Sequence, residues 1–416
     1  MNSALAALLG LIVAIVLIIR RTPPVYGLML GALVGGIAAG YPLVKTVDLM
    51  VSGIGEIIPA VLRILSAGVL SGVLIRTGAA ASISRTIVRR LGARHVFLAL
   101  ALATMFLTGT GVFIDVAVIT VAPVALMLGR QLDIPKFRLL LAMIAGGKCG
   151  NILSPNPNTI IAAENFGAPL PSVMLANLIP ALVGLVVAVY ILLPLTPAHG
   201  ERPQITADEA DMQHLPPFAA SIAGPLTAIV LLILRPLTGV VIDPFIALPA
   251  GGLVGIAATR RWRELMPGLG YGLEKMAPVA VLLIGTGTIA GIIKASAIKD
   301  AVLSLLAQCH IGESAIAPLA GALMSAATAS TTAGATIASA SFADIILAAG
   351  IPALWGAAMV NAGATVLDHL PHGSFFHATG GAVDMKMKER MKLIPYETAV
   401  GTVLALASLA CYLIAR

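Results

Sequence analysis

Within ten residues near its C-terminus the chain places one carboxylate and three imidazoles: Asp368-His369-Leu370-Pro371-His372-Gly373-Ser374-Phe375-Phe376-His377. Apolar residues flank this cluster on both sides, at the depth of a predicted membrane span, where ionisable side chains are costly and mark ion or substrate pathways. Imidazole titrates near neutrality, so His369 or His372 beside Asp368 suits uptake and release of a coupling proton. A metal centre would need further ligands at supporting spacing, and no such motif stands elsewhere in the chain. Cys149, Cys309 and Cys411 lie far apart in or near apolar segments and read as packing residues.

A second polar cluster interrupts another apolar stretch, Gly146-Gly147-Lys148-Cys149-Gly150-Asn151-Ile152-Leu153-Ser154-Pro155-Asn156-Pro157-Asn158-Thr159. Two prolines and three glycines here break a helix. Asn151, Ser154, Asn156, Asn158 and Thr159 offer amides and hydroxyls to a ligand. A helix restarting after Pro157 would turn free N–H groups and a positive dipole end toward an anion. Two weaker clusters are Thr108-Gly109-Thr110-Gly111 and the stretch from Ala327 to Gly334, with Thr328, Ser330 and Thr331. Small hydroxylated residues let backbones and a ligand approach closely, although helix packing in lipid favours the same residues. Asp115 follows the first of these tips and suits a proton or cation site. Lys148 can pair with a substrate carboxylate or neutralise Asp115 or Asp368, and the sequence leaves that choice open. Arg63 and Lys275, close to Pro59 and Pro278, read as snorkelling or ion-paired scaffold charges.

The elements that must position these clusters occur twice. A shift of 219 residues carries Gly53 onto Gly272, Pro59 onto Pro278 and Gly72 onto Gly291; a shift of 217 carries Pro135 onto Pro352, and one of 215 carries Pro180 onto Pro395. Duplication of this kind is a ground plan of secondary transporters. The first half reads as spans near 3–20, 25–42 and 52–76, a basic stretch from Arg85 to Arg94, and an apolar block broken at 108–111. A span interrupted near 150–158 and a last span near 172–195 complete it. The second half repeats this at 217–236, 240–258, 271–293, 314–349, 351–384 and 394–415. The expected organisation is a first repeat over 1–198, with a scaffold part at 1–80, a hairpin and broken helix at 95–170 and a last span at 172–195. A cytoplasmic linker over 199–216 and a second repeat over 217–416 follow.

Composition agrees. Hydrophobic residues make up 58% and charged residues 11% of the 416, with a mean hydropathy of +0.99. The longest polar stretch, from His199 to Pro217, is the linker, so no sizeable soluble domain is expected. The segment Ala4 to Ile19 has Arg20-Arg21 after it and no basic residue before it, the reverse of a cleavable signal peptide. If each broken block is a re-entrant hairpin, each half crosses five times and the second copy is inverted. With the N-terminus outside, 18 of the 26 basic residues fall in cytoplasmic segments, five outside and three within spans. The net charge of +7 therefore reflects topology and not a nucleic-acid surface. The expected fold is an all-α polytopic membrane protein with about ten transmembrane helices, two re-entrant hairpins, two interrupted helices and both termini outside.

The motifs Ser154-Pro155-Asn156-Pro157, Ala162-Ala163-Glu164-Asn165-Phe166-Gly167, Leu367-Asp368-His369-Leu370-Pro371-His372-Gly373-Ser374-Phe375-Phe376 and Leu393-Ile394-Pro395-Tyr396-Glu397-Thr398 resemble the gluconate permease (GntP) family of the ion transporter superfamily. Length and repeat layout extend the resemblance over essentially the whole chain. Two departures lie in the candidate site. Family members read Pro-Pro-x-Pro-Gly-Pro at the first break, where this chain has Ser154-Pro155-Asn156-Pro157-Asn158-Thr159, which leans toward the dicarboxylate and citrate branch. The family's Asn-Asp before Ser-Gly-Phe is replaced by the reordered Pro371-His372-Gly373-Ser374-Phe375.

The resemblance implies a bacterial inner-membrane, proton-driven symporter of a small organic anion, a sugar acid or hydroxycarboxylate, with no other cofactor. It further implies a homodimer in the lipid membrane and an elevator motion of hairpins and broken helices against a scaffold. The residues themselves point to Thr108, Thr110, Asn151, Ser154, Asn156, Asn158, Thr159, Thr328, Ser330, Thr331 and Ser374 for the anion, and to Asp115, Asp368, His369 and His372 for the proton. Sodium coupling or sodium–proton exchange is the alternative within transport, because hydroxyls and carbonyls at the tips hold Na+ equally well. An intramembrane enzyme using Asp115 and Asp368 as a catalytic pair, or the histidines with a metal, is the alternative from another class; each acid lies in its own repeat break, which argues against a shared catalytic motif.

Overall fold

The computed structural model describes residues 3–197, 200–203, 215–238, 242–297, 313–371 and 373–416; His372 and Cys309 lie outside the described residues. The first half folds as α1 (Ser3–Ile19), α2 (Pro24–Ala38), α3 (Leu43–Arg76), α4 (Ala79–Leu91), α5 (Val96–Gly109), α6 (Ile114–Gln131), α7 (Lys136–Asn151), α8 (Pro157–Phe166) and α9 (Leu170–Leu195). The second half follows as α10 (Phe218–Thr238), α11 (Pro244–Thr259), α12 (Leu265–Lys294), α13 (Ile316–Thr328), α14 (Thr331–Ala348), α15 (Ala353–Gly363), α16 (Ser374–Ala382), α17 (Met387–Lys392) and α18 (Ile394–Ala415). Among the described residues the regular structure is entirely helical.

Among the described residues six segments are long and apolar enough to cross a membrane alone: α3, α6, α9, α12, α14 and α17–α18. Four shorter apolar helices, α1, α2, α10 and α11, join them. Two helices exceed their expected lengths: α3 begins at Leu43 and not near 52, and α12 begins at Leu265 and not near 271. Both carry an internal proline, Pro59 and Pro278, at matching positions.

The inversion is visible in how α3 and α12 pack. Gly53, near the start of α3, lies against Gly287 and Gly291 near the end of α12, whereas Gly72 lies against Gly268 and Gly272 near its start. The two repeat mates therefore run antiparallel, and the contact is its own image under exchange of the repeats. Glycine is needed here because the backbones touch: a methyl on Gly68 would sit 2.8 Å from the Gly272 carbonyl oxygen. The short helices pair in the same way in both halves, Gly10 of α1 on Gly31 and Gly35 of α2, and Gly224 of α10 on Gly251 and Gly255 of α11.

The remaining helices form a second group. The chain bends by 105° between α4 and the stretch Ala93–Gly109, where Gly92 takes φ +70°. Helices α5 and α6 form one hairpin, and α13 and α14 the other. Each tip ends against a broken helix of its own repeat. Gly111, at φ +98°, faces the Pro155 carbonyl, while Ala329, at φ +47°, packs on Gly373. The broken helices are α7–α8, interrupted over 152–156, and α15–α16, interrupted over 364–373.

Candidate functional site

The first break is held open by its own polar residues. Ser154 Oγ and Asn156 Nδ2 donate to the Asn151 carbonyl at 3.1 and 2.8 Å. Asn156 Oδ1 caps α8, accepting from the Thr159 amide at 3.1 Å and its hydroxyl at 3.2 Å, with Pro157 as the first helical residue. Asn361 of α15 donates to Ile152 O at 3.2 Å and Thr159 Oγ1 at 3.0 Å, so the two broken helices cross at this point.

The second break carries a buried ionic cluster. Lys148 and Asp368 are 0% and 1% exposed, and Lys148 Nζ stands 2.7 Å from Asp368 Oδ1. The same ammonium donates to the carbonyls of Thr365 (2.6 Å) and Glu397 (3.2 Å) and lies 3.0 Å from His369 Nδ1. A lone buried charge is expensive, and this network compensates it. His369 Nδ1 is also 3.0 Å from Asp368 Oδ1, while Nε2 is 3.1 Å from both the Ile394 carbonyl and Thr398 Oγ1. A carbonyl oxygen only accepts, which suits an N–H on Nε2, while Nδ1 lies between a donor, the Lys148 ammonium, and an acceptor, the Asp368 carboxylate, so its role depends on the tautomer of the ring. A second proton on the ring would instead give Asp368 an N–H donor.

Thr331 links this cluster to open space. Its hydroxyl donates to Asp368 Oδ2 at 2.6 Å, and the residue lines a cavity of about 530 Å³. Five helices present their first turns to that cavity: α2 through Pro24 and Val25, α6 through Ile114 and Asp115, α8 through Asn158, α14 through Thr331 to Ala333, and α16 through Ser374 and Phe375. First-turn N–H groups lack helical partners and carry the positive end of the dipole, so their convergence favours an anion. The charged residues in the lining are Lys275 and Asp115. The ammonium of Lys275 stands 5.5 Å from the ring centre of Tyr271. Thr332 Oγ1 donates to Asn158 Oδ1 at 2.6 Å, joining the tip of the second hairpin to the first broken helix.

The expected site residues separate into three sets. Asn151, Asn158, Thr328, Ser330, Thr331, Ser374 and Asp115 line the cavity. Ser154, Asn156 and Thr159 are buried behind it and shape the break; Asp368 and His369 sit one hydrogen bond deeper. The hydroxyls of Thr108 and Thr110 turn back to their own helix, donating to Thr104 O at 3.0 Å and Leu107 O at 2.7 Å. Neither lines the cavity, because a threonine near a helix end satisfies its hydroxyl locally. The sequence left Lys148 open between a substrate carboxylate, Asp115 and Asp368 and gave Lys275 to the scaffold; the fold pairs the first with Asp368 and turns the second into the cavity. Arg390 is 1% exposed, ion-paired with buried Glu397, and stands 4.6 Å over the Phe376 ring, so it clamps α16 to α18.

The family model for the GntP family permeases matches residues 3–416. The chain belongs to the GntP permease family. An "Uncharacterized transporter" of Haemophilus influenzae is 52% identical over 409 residues, covering 98% of this chain and 97% of the relative. The "Gluconate permease" of Pseudomonas aeruginosa is 26% identical, covering 89% of each chain, and a "High-affinity gluconate transporter" of Escherichia coli is 26% identical, covering 88% of each. The crystal structure of the Alcanivorax borkumensis YdaH transporter, described as having an unusual topology, superposes with a TM-score of 0.61 at 15% identity, covering 87% of each chain, which bears on the fold alone. This GntP permease is thus a multi-pass inner-membrane secondary transporter with an inverted-repeat helical fold, and it belongs to a family of permeases and not of enzymes.

Proposed function

We propose that this permease imports a gluconate-like sugar acid or a related hydroxycarboxylate together with protons, and that the anion binds in the 530 Å³ cavity. The convergence of five helix N-termini and Lys275 on one cavity carries this reading. The relatives named for gluconate support the substrate class. Lys275 faces the carboxylate, and Asn151, Asn158, Ser330, Thr331, Thr332 and Ser374 supply groups for substrate hydroxyls. Thr108 and Thr110 are left out of the ligand shell, since their hydroxyls are bonded within α5 and at its end.

Asp368, Lys148 and His369 form the proton-holding cluster, reached from the cavity through the Thr331 hydroxyl. An arriving proton on His369 Nδ1 would turn that nitrogen from an acceptor for Lys148 into a donor to Asp368, changing the bonds around the anion site. In this reading the hairpins and broken helices, 95–170 with their counterparts in 217–416, move as one body against a scaffold of α1–α3 and α10–α12. Both termini face outward and two copies form the dimer; the linker expected over 199–216 lies largely outside the described residues.

Uptake of radiolabelled gluconate into proteoliposomes with an acid exterior and no sodium tests the proposal. Saturable uptake is expected. Lys275→Gln should raise KM roughly tenfold, the size of one lost charge-assisted contact, and leave the maximal rate nearly unchanged. Uptake that needs sodium and ignores the pH gradient would instead favour sodium coupling.

A further inference from the structure

A second cavity, of about 190 Å³, occupies the position related to the first by the repeat. The shift of 220 that carries Gly31 and Gly35 onto Gly251 and Gly255 carries Pro23 and Pro24 onto Asp243 and Pro244. The shift of 219 that carries Pro59 onto Pro278 carries Arg63 onto Leu282. Pro23, Pro24 and Leu282 line the large cavity; Asp243, Pro244 and Arg63 line the small one. Helix α8 contributes Ile160, Ala163 and Glu164 to the small cavity, while its first turn, through Asn158, and that of its counterpart α16, through Ser374 and Phe375, line the large one.

The two related sites differ in charge. In the small cavity Arg63 of α3 donates to Asp243 through Nη2 at 2.8 Å and through Nε at 3.2 and 3.1 Å. It also pairs with Glu164 of α8. Aligning the first residues of α8 and α16, Pro157 with Ser374, sets Glu164 against Gly381. The positions equivalent to the triad in the other repeat are therefore Leu282, Pro23 and Gly381, none of which bears a charge. Arg63 and Asp243 belong to the helices packed around α3 and α12, whereas Glu164 rides on the broken helix that caps the candidate anion site.

We propose that Arg63, Glu164 and Asp243 form a latch that holds the small cavity closed and selects the state with the large cavity open. Exchange of the two repeat conformations would widen the small cavity and carry Glu164 away from Arg63 and Asp243, so the latch must open in every cycle. With no charges at the related positions, the opposite state has no matching lock, and the two states are unequal in energy. This inference rests on alternating access by the two repeats and is independent of which anion is carried.

The test measures alkylation rates of two reporter cysteines by a hydrophilic maleimide, in full-length protein whose three native cysteines are replaced by serine and whose uptake is retained. Ile160→Cys reports on the small cavity and Thr328→Cys on the large one. Glu164→Gln should raise the labelling rate at 160 and lower it at 328, each by roughly tenfold, the range of a typical conformational coupling. Asp243→Asn should move both reporters the same way, because asparagine retains an oxygen to accept from the Phe245 amide (2.9 Å) while losing the charge. Unchanged rates at both reporters would overturn the latch. So would a parallel rise at both, which is the signature of a loosened fold. Protection of Thr328→Cys by gluconate is scored separately: its absence counts against the anion site and leaves the latch standing.

Discussion

Lys148 and Asp368 show how a buried pair ties function to fold at the level of single residues. Removing one partner leaves the other charge buried and uncompensated, which costs about 3–5 kcal/mol. Asp368→Asn or Lys148→Met alone should therefore lower thermal stability in detergent. The double change Lys148→Met with Asp368→Leu should recover most of the loss, yet it should not restore proton-driven uptake. Recovery of coupled uptake in the double variant would remove the cluster from the coupling pathway. The types and depth of these residues were legible in the sequence, since an acid beside imidazoles in an apolar span stands out. The choice among partners was not: Lys148 meets Asp368, one of three candidates, because the broken helices of opposite repeats cross, and no local pattern encodes that crossing. Thr108 and Thr110 give the converse case. Their hydroxyls look available in the sequence, but the backbone one turn earlier already accepts them.

At the level of elements, the antiparallel contact of α3 with α12 makes a position-specific prediction. Gly68→Ala places a methyl 2.8 Å from the Gly272 carbonyl oxygen and 2.9 Å from Met276 Cγ. Separation of the helices to admit it should cost about 1–3 kcal/mol. Gly55→Ala, on the same helix with nothing within 4 Å of the added carbon, should be neutral or slightly stabilising, because alanine is the better helix former. Thermal unfolding followed by dye binding distinguishes them; equal effects at both sites would contradict the packing described. These elements were the most legible part of the chain. Glycine and proline act on the backbone itself, so their recurrence at a fixed shift reports helix contacts and breaks directly. The starts of α3 and α12 were less legible, because Lys45, Thr46 and Asp48 in the first and Pro267, Gly268 and Gly270 in the second interrupt the apolar helical signal, although each helix continues through them.

At the scale of the whole molecule, the duplication supplies two related cavities and the differences between the copies set them apart. One is lined by five helix N-termini with Lys275 and Asp115 and is the proposed anion site; the other is crossed by the Arg63 triad. The inverted architecture was legible from the repeat and from the distribution of basic residues, whereas this asymmetry was not. It depends on which side chains the packed helices turn inward, and Lys275 was assigned to the scaffold for that reason. The claim on which the rest depends is that anion entry and proton entry are one event. The most direct measurement is internal pH in sodium-free proteoliposomes, read by a trapped dye as gluconate is added outside. Acidification that requires both the protein and gluconate, and that disappears in the Lys148→Met, Asp368→Leu double variant, is the expected result. Gluconate accumulation with no change in internal pH would contradict it.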